Sequence, residues 1–189
     1  MIEILFVLAL TGVIGAIAVP MMSNTLGDLR LSGNARGLFN AVSLTKMQAS
    51  SNFTQTRLYV DLSVNAYHTE IWQKTGAAWV TQGSTTPLSN VAETYGFGAV
   101  SSAPPTTQGT IGQAPQCFDA ATPPHAIGNT ACILFNSRGV PVDSTGQPIG
   151  SYALYITDGT AVFGVTVSTT GSIRLWRTNP TTTPSWVQQ

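Results

Sequence analysis

Charge is scarce in this chain. Its 189 residues carry 8 lysines and arginines against 8 aspartates and glutamates, far under the roughly 25% charged content of an ordinary soluble protein. That excludes a polyelectrolyte tail. The balance is also flat, +1 over residues 1–52, −2 over 53–131 and +1 over 132–189, so no segment has the basic footprint of a dedicated nucleic-acid domain. Histidine is rarer still: His68 and His125 have no metal-ligand spacing, and both read as surface side chains. No Gly-x-Ser-x-Gly elbow, phosphate loop or dinucleotide fingerprint is present, so no enzyme, resident cofactor or metal centre is expected. Residues 143–146, Asp-Ser-Thr-Gly, lack the further acidic positions of a calcium loop and read as a turn. Two cysteines, Cys117 and Cys132, are too few for a disulfide scaffold and leave either one disulfide or two thiols. What is abundant is hydroxyl: 26 threonines and 16 serines, a solvation style commoner outside the cytoplasm than inside it.

The first 22 residues hold the largest departure from average composition. From Ile4 to Met22 no residue is charged and Thr11 is the only hydroxyl side chain, about the length that crosses a hydrocarbon core of roughly 30 Å. A cleaved signal peptide would carry a basic residue ahead of a shorter apolar run. A core helix of this length would show a polar face. A plain membrane anchor fits the length but leaves Glu3 unexplained. A carboxylate at the edge of an apolar span needs a cation, and the first basic residue is Arg30, about 40 Å further along a continuous helix at 1.5 Å per residue. The counter-ion must come from elsewhere, and a terminal amine or another copy of the chain is the simplest supply.

Ile2-Glu3, the apolar run with Gly12 and Gly15 inside it, and Pro20 seventeen residues after the glutamate resemble the N-terminal helix of type IV pilins and pseudopilins. In that family the glutamate neutralises the N-terminal amine of an adjacent subunit as pilins leave the inner membrane and stack into a helical filament. The family carries a basic leader, a glycine cleavage site and usually a phenylalanine ahead of the Ile-Glu pair. Here Met1 stands in that place, which points to a late start or to a chain given without its true N-terminus. Gly12 and Pro20 weaken the helix between them; the resemblance implies local melting on assembly, and a simple bend is the local alternative.

Beyond Pro20, Leu31, Ala35, Leu38, Val42 and Ala49 form one helical stripe, with an end expected near residues 50–52. The pattern then switches to strands: Leu58, Val60 and Leu62 alternate with Arg57, Tyr59 and Asp61, followed by short runs at 67–73 and 79–80. Residues 81–131 hold six of the eleven prolines and read as a long irregular excursion. Closing the loop between Cys117 and Cys132 would contribute about 3 kcal/mol and position a stretch with little core of its own. The C-terminal third holds strands at 133–135, 152–156, 161–168 and 173–177 that should pair successively as hairpins. The stretches 133–139, 165–168 and 171–174 are similar to the closing hairpins of the GspH/FimT branch of minor pilins and pseudopilins.

The resemblance and the patterns together predict an α+β chain with a type IV pilin-like fold, a long N-terminal helix on an antiparallel β-sheet head. Its parts are a hydrophobic membrane and filament-core helix at 1–22, an amphipathic continuation at 23–52, and the head at 53–189. The expected function is structural: polymerisation into a homo-oligomeric extracytoplasmic filament, or a minor pilin or type II secretion pseudopilin, with other minor pilins or assembly-platform proteins as partners. Some FimT-type minor pilins bind DNA through arginines near this hairpin. Arg138, Arg174 and Arg177, with Trp176 between the last two, are the candidates here, and ordinary solvated strand faces are the alternative.

Overall fold

The computed structural model describes residues 2–89 and 92–189; within the first helix the side chains of residues 2, 5, 6, 15 and 17–24 lie outside the description. The expectations attached to Met1, Gly15 and the side chain of Pro20 fall there. Helix α1 runs from Ile2 to Ser51, 50 residues, about 75 Å at 1.5 Å per residue, and its backbone continues through Gly12 and Pro20. It stops where Asn52 donates both its backbone N–H and its side-chain amide to the Gln48 carbonyl and Phe53 turns to φ +47°.

Among the described residues nine strands follow: β1 Thr56–Asp61, β2 Ala66–Gln73, β3 Ala78–Pro87, β4 Thr94–Tyr95, β5 Thr130–Phe135, β6 Tyr152–Thr157, β7 Val162–Val167, β8 Ile173–Thr178 and β9 Val187–Gln188. They form two antiparallel sheets ordered β3-β2-β1-β5 and β4-β6-β7-β8-β9. The fold class is α+β, a long N-terminal helix followed by antiparallel sheets. Two expectations need correction. β5 does not open the C-terminal hairpin series; it pairs with β1, Leu58 opposite Ile133, and residues 136–151 carry the chain to the second sheet. The irregular stretch also starts later than 81, because β3 reaches Pro87 as an edge strand, where a proline without an N–H does no damage. A bulge at Gly83, φ +76°, absorbs its register shift against β2.

The helical stripe predicted above is the core. Leu31, Ala35, Leu38, Val42 and Ala49 are wholly buried against Leu58, Val60 and Phe135 of one sheet and Leu154, Phe163 and Val165 of the other, each large side chain contributing about 1.5–3 kcal/mol. The excursion has a structural task. Gln113 and Ala114 run along the free edge of β6, with Ala114 N–H donating to the Ala153 carbonyl at 2.7 Å and Gln113 Nε2 to the Tyr155 carbonyl at 2.8 Å. Phe97, Val100 and Ile111 cover the outer face of the second sheet with Trp186. β6 and β7 are therefore buried on both faces and lack the alternation of a half-exposed strand.

Two tight turns meet on the helix. Lys46 Nζ donates to the Gly171 carbonyl at 2.8 Å, and Gly171 and Gly139, at φ +75° and +72°, pack together against Lys46, so that a Cβ on Gly171 would lie 2.7 Å from the Gly139 carbonyl oxygen. Gly171→Ala is expected to cost about 2–3 kcal/mol, seen as a lowered Tm. Gly33→Ala, where a Cβ meets nothing within 4 Å, is expected to be neutral or to stabilise by up to about 1 kcal/mol.

The helix also buries a carboxyl group. Glu93 is 1% exposed; Asn34 Nδ2 donates to its Oε2, and its Oε1 has no partner among the described residues. Burial raises its pKa above the ordinary 4.5, against the Asn34 bond and Arg30 and with Asp158 adding to the rise. The folded state keeps this proton to higher pH than the unfolded chain. The residue's contribution is therefore full below the ordinary carboxyl range and is lost as pH climbs through the raised folded value. Glu93→Gln is expected to melt higher than the parent at neutral pH and to flatten the decline of Tm above pH 4.5, measured by thermal melts across pH.

Candidate assembly helix and the surfaces of the head

Among the described side chains, the first half of α1 enters no core. Glu3 is exposed, and Ile4, Leu8 and Val13 are 65%, 63% and 61% exposed. Thr11 interrupts nothing, because its hydroxyl donates to the Val7 carbonyl at 2.9 Å. Around Gly12 a Cβ would meet nothing within 4 Å. Exposed apolar side chains continue alongside the head at Leu26, Leu29, Leu44 and Met47. At 3.6 residues per turn, Ile4, Leu8, Leu26, Leu29, Leu44 and Met47 share a sector of about 60°, roughly opposite the buried stripe. An apolar surface of this length on a chain with so few charges marks an interaction site. Among the described residues no helix is long and apolar enough to cross a membrane.

The second half is tied to the head by polar contacts as well as by the core. Arg177 Nη2 donates to Asp28 Oδ2 at 3.0 Å. Lys46 reaches the Gly171 carbonyl. A Cβ on Gly37 would sit 3.3 Å from the Tyr67 hydroxyl, so this glycine serves helix-to-sheet contact.

The arginine group does not gather. Along β8 side chains alternate, which sends Arg174 outward among Thr106, Ser168 and Ser172, while Arg177 faces the helix, paired with Asp28 and lying over the Phe163 ring at 5.6 Å. Trp176 is 7% exposed and its indole donates to Thr166 Oγ1 at 3.0 Å, so it offers no stacking platform. Arg138 is exposed in the turn after β5. Of the four predicted nucleic-acid contacts, only Arg138 and Arg174 stand exposed.

Another charged cluster escaped the sequence reading. Arg57 and Glu70 face each other across β1 and β2, 5% and 9% exposed. Arg57 Nε donates to Glu70 Oε2 and its Nη1 to the Phe118 carbonyl. Its guanidinium lies 4.1 Å from the Trp79 ring centroid and 5.5 Å from that of Tyr59. Burial lowers the Arg57 pKa, and Glu70 opposes the fall. His68 belongs to this cluster and is not a surface residue: its ring stacks on Tyr59 at 4.8 Å and its Nε2 lies 3.2 Å from Glu70 Oε1. The signal was available, because a hairpin turning at 62–65 places residue 57 opposite residue 70.

The contact with Phe118 fixes the loop that Cys117 and Cys132 close. The two cysteines form a disulfide with Cα atoms 5.0 Å apart and are 1% and 7% exposed. Cys132 N–H donates to the Pro115 carbonyl and Cys117 N–H to Thr130 Oγ1. At the loop's exposed end His125 Nδ1 lies 3.1 Å from Asp119 Oδ2. Residues 143–146 form a turn in which Asp143 Oδ1 accepts from Thr145 and Gln147.

No family model matches the chain, and no curated protein matches it. Among solved structures it is similar to the minor pseudopilin EpsH of the type 2 secretion system of Vibrio cholerae, in two structures at 12% identity. One covers 77% of this chain and 95% of that chain at a TM-score of 0.49, the other 82% and 95% at 0.46.

Proposed function

We propose that the chain is a structural subunit of a type IV pilus-like filament, held in the inner membrane as a precursor and then polymerised into an extracellular or periplasmic fibre. Residues 4–22 form the apolar filament core, and Glu3 pairs with the terminal amine of a neighbouring copy. The observation that carries this reading is the set of exposed apolar side chains at Ile4, Leu8 and Val13 and again at Leu26, Leu29, Leu44 and Met47, headed by a carboxylate. Among the described side chains, the apolar core of the head covers the opposite side of the helix from Leu31 onward. A filament meets both needs at once, because neighbouring helices bury the apolar face and supply the cation.

A place as a minor pilin or type II secretion pseudopilin is the second reading. The stretches that resemble the GspH/FimT branch, 133–139 and 171–174, are joined in space, with Gly139 and Gly171 packed on each other over Lys46. Electron microscopy of sheared envelope material, with quantitative mass spectrometry, tests both. Fibres composed mainly of this chain support the first reading, fibres holding it in trace amounts support the second, and its absence from every fibre contradicts both.

A further inference from the structure

A pocket of about 490 Å³ opens beside the disulfide, within the roughly 300–1,000 Å³ range of small-ligand sites. It lies where the β2–β3 hairpin, β5 and residues 115–124 converge. Trp72 and Trp79 meet edge to face in its wall, ring centroids 5.2 Å apart, and Phe118 also lines it. Polar groups at its edge are the carboxylates of Asp119 and Asp143 and the amides of Gln55 and Gln116. The structure holds this shape before any ligand arrives, through the disulfide and the Arg57 bond to the Phe118 carbonyl, so little ordering cost remains for binding.

The chemistry of the lining narrows the occupant. Both carboxyls are held below their ordinary pKa, Asp119 by the His125 backbone N–H and Asp143 by the Thr145 hydroxyl, and are ionised near neutrality. The one cation in the lining, Arg57, already spends its charge on Glu70. Phosphates, sulfates and carboxylates therefore meet net negative charge. A cationic ligand gets no free aromatic face from Trp79, because the Arg57 guanidinium already covers that ring. A purely apolar ligand would strip water from two carboxylates and add no donor to those that the protein already supplies to Asp119 and Asp143. A neutral ring with an apolar C–H face and several hydroxyl donors satisfies every wall: the face packs on indole, the hydroxyls donate to the carboxylates, and the amides both donate and accept.

We propose that this pocket binds a neutral carbohydrate, a monosaccharide or the end of a short glycan, with its ring against Trp72 and its hydroxyls on Asp119, Asp143 and Gln116. The site belongs to the head and does not rest on polymerisation.

The test is saturation-transfer NMR on the full-length chain in nanodiscs of phosphatidylethanolamine and phosphatidylglycerol. The probes are glucose, galactose, N-acetylglucosamine, lactose and cellobiose, against glucuronate, glucose 6-phosphate and choline. Transfer to the ring C–H protons of at least one neutral sugar is expected. Its Kd should rise about tenfold or more, the equivalent of about 1.4 kcal/mol, in Trp72→Ala. It should also rise in Gln116→Ala, an exposed edge position whose loss leaves the fold intact, and stay unchanged in Trp186→Phe. Transfer to none of the neutral sugars, tighter binding of choline or of either anion, or sugar binding indifferent to both Trp72→Ala and Gln116→Ala would overturn the proposal.

Discussion

Replacing Glu3 by alanine or valine is expected to leave a chain that reaches the membrane and does not enter a filament. The physical reason is the cost of an unpaired charge in an apolar layer, about 2.5–3.5 kcal/mol by insertion scales. Without the carboxylate, the terminal amine of each neighbouring subunit bears that cost, which corresponds to a loss of roughly 100-fold or more for each subunit added. Glu3→Gln should fail nearly as badly, because an amide keeps the size and loses the charge. Glu3→Asp should retain partial assembly. The readout is the amount of chain in sheared fibres relative to the amount in the membrane fraction. Normal fibres from Glu3→Ala would remove the pairing from the account.

The largest effect on the head is expected at Arg57. Removing one partner of a buried ion pair costs about 3–5 kcal/mol, because the other charge stays behind uncompensated. In Arg57→Ala, Glu70 would keep only His68, the Trp79 ring would lose its cation, and the Phe118 carbonyl would lose a donor. A loss of that size is a large fraction of the stability of a domain. Denaturant unfolding should show it as a fall in midpoint, and the disulfide loop should become sensitive to protease in the folded protein. The paired replacement Arg57→Met with Glu70→Leu should recover much of the loss, since an apolar pair leaves no orphaned charge. If Arg57→Ala unfolds at the parent's midpoint, the cluster is not what holds the loop.

Periodic features were legible from the residues alone. The stripe from Leu31 to Ala49 is buried as its 3.6-residue spacing requires, Asp158-Gly159 and Thr170-Gly171 sit in turns, and β6, β7 and β8 pair in order. What stayed hidden depended on contacts between distant segments. Nothing local tells β5 to join β1 across some 70 residues instead of β6 next to it. The excursion reads as irregular because its partners, the β6 edge and the outer face of the second sheet, lie elsewhere in the chain. The arginines near the C-terminus do not gather for a simple reason: residues 174 and 177 are three apart on a strand, and an odd spacing puts them on opposite faces. Alternation put Arg57 on the face opposite Leu58 and Val60, while the loop of residues 115–124 that covers that face lies too far along the chain to be read from it. Glu3 ahead of an uncharged run stands out in the sequence without any knowledge of the fold, and its proposed role in assembly rests on that pattern.

Zero-length carbodiimide coupling of purified filaments asks directly where Glu3 finds its cation. Filaments grown from a mixture of isotopically light and heavy chains should yield, on digestion and mass spectrometry, a peptide joining the Glu3 carboxyl of one copy to the terminal amine of another, with light–heavy hybrids present. Filaments that contain this chain and give no such hybrid, while other carboxyl–amine pairs couple in the same sample, would contradict the pairing.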